Sequence, residues 1–72
     1  MKCTVKLIWD EEARVWYTQT DDIPGLALSA PVYDELVAIV RDTAPELLEE
    51  NCDYSGPIYL NFESVRIDMV SA

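Results

Sequence analysis

Between residues 2 and 9 the chain alternates. Cys3, Val5, Leu7 and Trp9 fall on one parity and Lys2, Thr4 and Lys6 on the other, the period-2 pattern of a half-buried strand. Only Ile8 breaks it. Asp10-Glu11-Glu12-Ala13 follows as a polar connection of hairpin length. Residues 14–20 predict a second strand, since all but Arg14 and Gln19 are β-branched or aromatic. Bulk falls on both of its faces, Val15 and Tyr17 on one and Trp16 on the other, so both sheet faces are expected to be at least partly covered.

Asp21-Asp22-Ile23-Pro24-Gly25 ends that strand. Proline fixes φ and glycine supplies positive φ, so Asp22, Pro24 and Gly25 mark a structural turn. Leu26-Ala27-Leu28-Ser29 predicts a short third strand at a sheet edge, and connections this short leave an antiparallel meander as the arrangement.

Over residues 32–50 the period changes to that of a helix. Tyr33, Leu36, Val37, Val40, Ala44, Leu47 and Leu48 recur at three- and four-residue steps and make one apolar face. Asp34 and Glu35 fall in the first turn, where the helix dipole favours anions. Capping is weak, because neither Ala30 nor Val32 carries a side-chain acceptor, and Ser29 serves only if the helix starts early. Pro45 interrupts the pattern and predicts either a kink or a second short helix, and the capping-box spacing Thr43-Ala44-Pro45-Glu46 favours a re-start or a tight bend there. Asn51 is an acceptable stop.

After the loop Asp53-Tyr54-Ser55-Gly56-Pro57, residues 58–70 predict the last strand. Ile58, Leu60 and Phe62 share one parity, whereas Val65, Ile67 and Met69 share the other. That change of phase predicts a bulge or bend near Glu63-Ser64. The order is β-β-β-α-β, an α+β fold. A right-handed crossover returns the fourth strand parallel to the first, giving sheet order 3-2-1-4 with the helix on one face. One helix covers one face, so Trp16 is expected on the uncovered side, where an apolar surface makes an interface. A homodimer is expected, with Trp16, Val65, Ile67 and Met69 in its interface.

Composition narrows the class. Seventy-two residues with half of them apolar make one domain, spanning 1–72, and are too apolar for disorder. No apolar run approaches a membrane span, the longest being Leu36-Val37-Ala38-Ile39-Val40, and with no apolar stretch or small-residue cleavage site in Met1-Lys2-Cys3-Thr4-Val5-Lys6 no secretory signal is expected. Fourteen acidic against five basic residues give a net charge of -9. The scattered Lys2, Lys6, Arg14, Arg41 and Arg66 form no basic run, which excludes direct nucleic-acid binding and disfavours an anionic membrane; a basic protein is the partner such a field steers.

Chemistry is sparse. Histidine is absent, and Cys3 and Cys52 lie far apart, so no zinc set, serine relay or thiol relay can be assembled. The two cysteines read as free thiols of a reduced, cytoplasmic protein. The carboxylate pairs Glu11-Glu12, Asp21-Asp22 and Glu49-Glu50 are adjacent in sequence, so their side chains diverge instead of chelating. No glycine-rich loop cradles a phosphate. Catalytic, cofactor-binding and metal-ligating residues are all expected to be none, and the protein is expected not to be an enzyme.

Several segments together resemble the HicB-like antitoxin domain, in particular its short stand-alone branch without assigned function. They are Leu7-Ile8-Trp9-Asp10-Glu11-Glu12-Ala13 with Val15-Trp16, then Asp21-Asp22-Ile23-Pro24-Gly25-Leu26, Asp34-Glu35-Leu36, and Arg41-Asp42-Thr43-Ala44-Pro45-Glu46-Leu47-Leu48. The resemblance covers most of the chain and weakens after residue 50; Val32 stands where that family commonly has threonine. It implies a partial RNase H-like fold without nuclease activity, and a small basic mRNA-cleaving toxin, HicA, as partner. Many such antitoxins add a C-terminal DNA-binding segment; here the chain ends at Ala72, so none is expected. Two functions follow as expectations: a protein-binding module that neutralises a small basic RNase toxin, or a stand-alone homo-oligomer, binding a small ligand between subunits.

Overall fold

The computed structural model describes residues 1–71, in the order β1 (Lys2–Asp10), β2 (Val15–Gln19), β3 (Ser29–Ala30), α1 (Tyr33–Cys52) and β4 (Tyr59–Val65). The fold is α+β, with one four-stranded sheet ordered β3-β2-β1-β4. β2 is antiparallel to both β1 and β3, and β4 returns parallel to β1. Helix α1 makes that crossover and lies on one face.

The hairpin between β1 and β2 is built by Asp10. Its Oδ1 accepts the N–H groups of Glu12 at 3.1 Å and Ala13 at 3.2 Å, and its carbonyl accepts from the Arg14 N–H at 2.8 Å. This is the local turn chemistry for which aspartate is favoured. Arg14 closes the loop in the left-handed region, at φ 59°. The loop length sets the register Trp9↔Trp16, Leu7↔Thr18 and Ile8↔Tyr17, which decides what each face carries.

On the helix side stand Cys3, Val5 and Leu7 of β1, Ala30 of β3, and Leu36, Val40, Ala44 and Leu48 of the helix, all buried. Leu60 and Phe62 of β4 pack against this core, as does Trp16. Trp16 therefore does not occupy the uncovered face, as its parity in β2 suggests. Pairing with Trp9 and Ala30 turns it toward the helix, where it meets Tyr33 edge-on at 5.1 Å.

Helix α1 is a single element of 20 residues, undivided at Pro45, which sits on its exposed side. Of the two outcomes open at Pro45, the second helix does not form. Buried residues at four-residue steps on either side of the proline hold both halves against the same sheet. The helix ends past Asn51. Asp53 takes the left-handed conformation at φ 51°, and the Tyr54 N–H reaches back to the Leu48 carbonyl at 3.1 Å. Asn51 instead donates its side-chain amide to the Pro24 carbonyl at 3.1 Å, tying the helix end to the turn.

The third strand is shorter than predicted. Thr18 is the reason: its N–H donates to the Leu28 carbonyl at 3.0 Å, and its Oγ1 accepts the Leu28 N–H at 3.0 Å. A buried side chain thus replaces ladder partners, and regular pairing is left to Ser29 and Ala30. The fourth strand also differs. Its ladder with β1 runs without a break from Tyr59 to Val65, so no bulge forms at Glu63-Ser64. The phase change instead moves the apolar residues from the helix-covered face, Leu60 and Phe62, to the open one, Val65.

Candidate functional site

The open face of the sheet is written by the same register. Across three strands, Tyr17, Ile8 and Val65 stand side by side. Tyr17 keeps 39% and Val65 37% of its surface exposed, and Ile8 is half-buried between them. The next row is polar, with Gln19, Lys6 and Glu63 abreast. A further row pairs Thr4 with Asn61, whose Nδ2 donates to Thr4 Oγ1 at 3.4 Å. An apolar row with a polar margin is the layout of a contact surface, with the contact energy at the centre and solvation at the rim.

Beyond Val65 the chain leaves the sheet. Ile67, Met69 and Val70 are 87%, 91% and 88% exposed. The molecule measures 51 × 18 × 17 Å, the long dimension of a small body with a projecting end. Of the four residues predicted for an interface, the structure therefore leaves Val65, Ile67 and Met69 available and withdraws Trp16. The predicted turn is where expected. Gly25 has φ +85°, Ile23 just before it is fully buried, and the Leu26 N–H closes onto the Ile23 carbonyl at 3.3 Å.

Asp22 does more than start that turn. β2 stops at Gln19, which leaves the backbone of Thr4 without a strand partner on that side. Asp22 Oδ2 accepts the Thr4 N–H at 2.7 Å, and Thr20 Oγ1 donates to the Thr4 carbonyl at 2.6 Å. Two side chains continue the ladder. They border a groove of about 190 Å³ with Lys6, Gln19 and Asp21. Its best-placed carboxylate is thus already committed to the backbone.

Trp9 is a junction that the sequence pattern registers only as an inward strand position. Its Nε1 donates to Glu11 Oε2 at 2.6 Å, and Arg14 Nη1 pairs with Glu11 Oε1 at 2.7 Å. The Trp16 ring lies 5.4 Å away, and the guanidinium groups of Arg66 and Arg14 lie 5.0 and 5.8 Å from the Trp9 ring centre. The indole hydrogen bond, helped by both arginines, holds the Glu11 carboxyl below its ordinary value against a desolvation that raises it. Arg66 also binds Asp68, at 3.1 Å, so the first residues of the projecting segment are anchored. The only available signal is the pair Trp9 and Trp16 flanking a polar loop.

The remaining carboxylates disperse. Asp34, Glu35, Asp42, Glu46, Glu49 and Glu50 are exposed along the helix, where Arg41 is the single cation. Among the described residues, no group of three or more histidine, cysteine, aspartate or glutamate residues is placed to hold a metal ion. Cys3 and Cys52 are both free; Cys3 is buried, and that burial, with the nearby Asp22 charge, pushes its thiol up. No described helix is long and apolar enough to cross a membrane.

A family model for a domain of unknown function, DUF1902, matches residues 2–70. The chain belongs to the DUF1902 family. This DUF1902 domain is similar to a solved structure, the hypothetical protein TTHA1013 from the extremely thermophilic bacterium Thermus thermophilus, with 39% identity and a TM-score of 0.83. The similarity covers 97% of this chain and 100% of the other. No curated protein matches the chain. The DUF1902 fold is thus shared across nearly its whole length with that relative.

Proposed function

We propose that this domain is a non-catalytic protein-binding module whose partner is a small basic protein, an RNase toxin of the kind that a HicB-like antitoxin neutralises. The reading is carried by the open face. Tyr17, Ile8 and Val65 form an apolar row in the middle of a sheet that the single helix leaves uncovered. Rows of this sort on a domain this small serve contact with another protein. The partner's charge follows from the field. A net charge of -9, with the helix carboxylates exposed, accelerates encounter with a cationic surface and repels RNA itself. A protein of this kind inhibits by covering the toxin, with no chemistry of its own, which fits carboxylates that are dispersed or committed to backbone.

The test is reconstitution with a small basic RNase of the HicA kind. The two proteins co-purify at low salt, RNA cleavage stops on addition of this domain, and the inhibition weakens as ionic strength rises. Ile8→Glu is expected to abolish inhibition while the circular dichroism spectrum remains that of the folded domain. Absence of a complex at low salt, or inhibition unaffected by that substitution, overturns the reading.

A further inference from the structure

β4 is an edge strand, and its hydrogen-bonding parity is known. Tyr59 donates its N–H to the Met1 carbonyl at 2.8 Å, on the β1 side. Backbone groups alternate along a strand, so those of Tyr59, Asn61, Glu63 and Val65 are taken up by β1. Leu60, Phe62 and Ser64 turn their N–H and C=O groups outward, away from the sheet. An edge of this kind is ordinarily blunted by proline, lysine, a bulge or a covering loop. Tyr59–Val65 contains no proline, lysine or bulge.

The strand ends at Val65, and beyond it the alternation continues in the sequence. Tyr59 and Val65 stand on the open face, Ile67 and Met69 keep their sequence parity, and the four are 71%, 37%, 87% and 91% exposed. In a molecule dominated by negative charge, this stretch is nearly balanced: Glu63 and Asp68 against Arg66. Local repulsion between two copies is therefore small here and large elsewhere, along the acidic helix.

We propose that two copies of this chain pair their Tyr59–Met69 segments antiparallel, outer edge against outer edge, about a two-fold axis at Ser64. An isologous contact uses the same segment twice and closes on itself, which leaves no further edge at that side. Centring on Glu63 would set two carboxylates directly opposite, which is unfavourable. A shift of one residue places Ser64 opposite its copy and Tyr59 opposite Met69, a thioether against an aromatic ring. The result is one eight-stranded sheet with both open faces on the same side, Val65 of each copy standing beside Glu63 of the other. Ile67 and Met69 gain cross-strand neighbours, Asn61 and Tyr59 of the second copy.

Sedimentation equilibrium of the intact chain tests this: the expected mass is that of two copies. Ser64→Pro removes an outward N–H that β1 does not use, and Ile67→Asp with Met69→Asp charges a segment that contributes nothing to the monomer's core. Both variants are expected to sediment as monomers with an unchanged circular dichroism spectrum. Ser64→Cys in a Cys52→Ser background is expected to form a covalent dimer on mild oxidation. A monomeric wild-type chain at its solubility limit overturns the proposal, as does a dimer that survives both edge variants. This pairing stands or falls separately from the basic-partner reading, whose readout is RNA cleavage.

Discussion

Leu7 and Ile8 are neighbours in one strand and live under different physics. Leu7 faces the helix and is fully buried; Ile8 faces the open side and is half-buried in an apolar row. The covered face uses its apolar residues to hold the chain folded. The open face keeps its apolar residues in partial contact with water, where they add little to stability and remain available to a partner. Removing methylene groups from a packed core costs their transfer energy plus that of the cavity left behind, whereas an exposed site leaves no cavity. Leu7→Ala is accordingly expected to destabilise by about 3 kcal/mol, a large part of what so small a domain possesses. Ile8→Ala is expected to cost about 1 kcal/mol from lost area alone. Urea denaturation of the two variants measures both, and equal costs would mean that the open face is as structural as the covered one.

The two faces are not equally legible in the sequence. The element order, the sheet order and the helix face follow from periodicity and connection length, because a period of two or of 3.6 and a short hairpin leave few arrangements. Trp16 is the exception, for a specific reason. The inward parity of β2 is shared by Trp16 and the polar Thr18, while Val15 and Tyr17 look like the better core residues. Thr18 is buried because its hydroxyl holds the Leu28 backbone, a long-range bond that no local pattern announces. The loop length supplies the missing phase, since the connection between Asp10 and Val15 puts Trp9 opposite Trp16. The bonds of Asp22 to Thr4 and of Asn51 to Pro24 are equally invisible, because each joins residues distant in sequence.

Thr18 also gives the next largest effect. Thr18→Val preserves volume but leaves the Leu28 N–H without its acceptor in a part-buried site. The expected loss is about 1.5 kcal/mol, with the region around residues 26–28 opening first in hydrogen exchange. Thr18→Ser restores the acceptor and recovers most of that protection. If valine and serine behave alike, the hydroxyl is not what shortens β3, and the covered face tolerates its polar residue for packing alone.

The smallest effect sits where the covered face meets the projecting segment. Glu11 is fully exposed, yet the Trp9 indole N–H lies 2.6 Å from its carboxylate, and Arg14 and Arg66 add opposite charge. A hydrogen bond to the ionised form favours that form, so the folded-state value is depressed relative to the unfolded chain. A depressed carboxyl contributes stability that is present above its unfolded-state value and is lost as pH falls through the folded one. Melting temperatures of the wild type and Glu11→Gln are therefore expected to differ slightly at neutral pH. The gap closes as the solution is acidified below the ordinary carboxylate range. Added salt screens the two arginines but leaves the indole contact in place, so part of the gap persists at high ionic strength. A gap that is independent of pH would mean that the indole bond does not depend on ionisation. Arg66 would then be held over Trp9 by stacking alone, and the projecting segment would keep its anchor in acid.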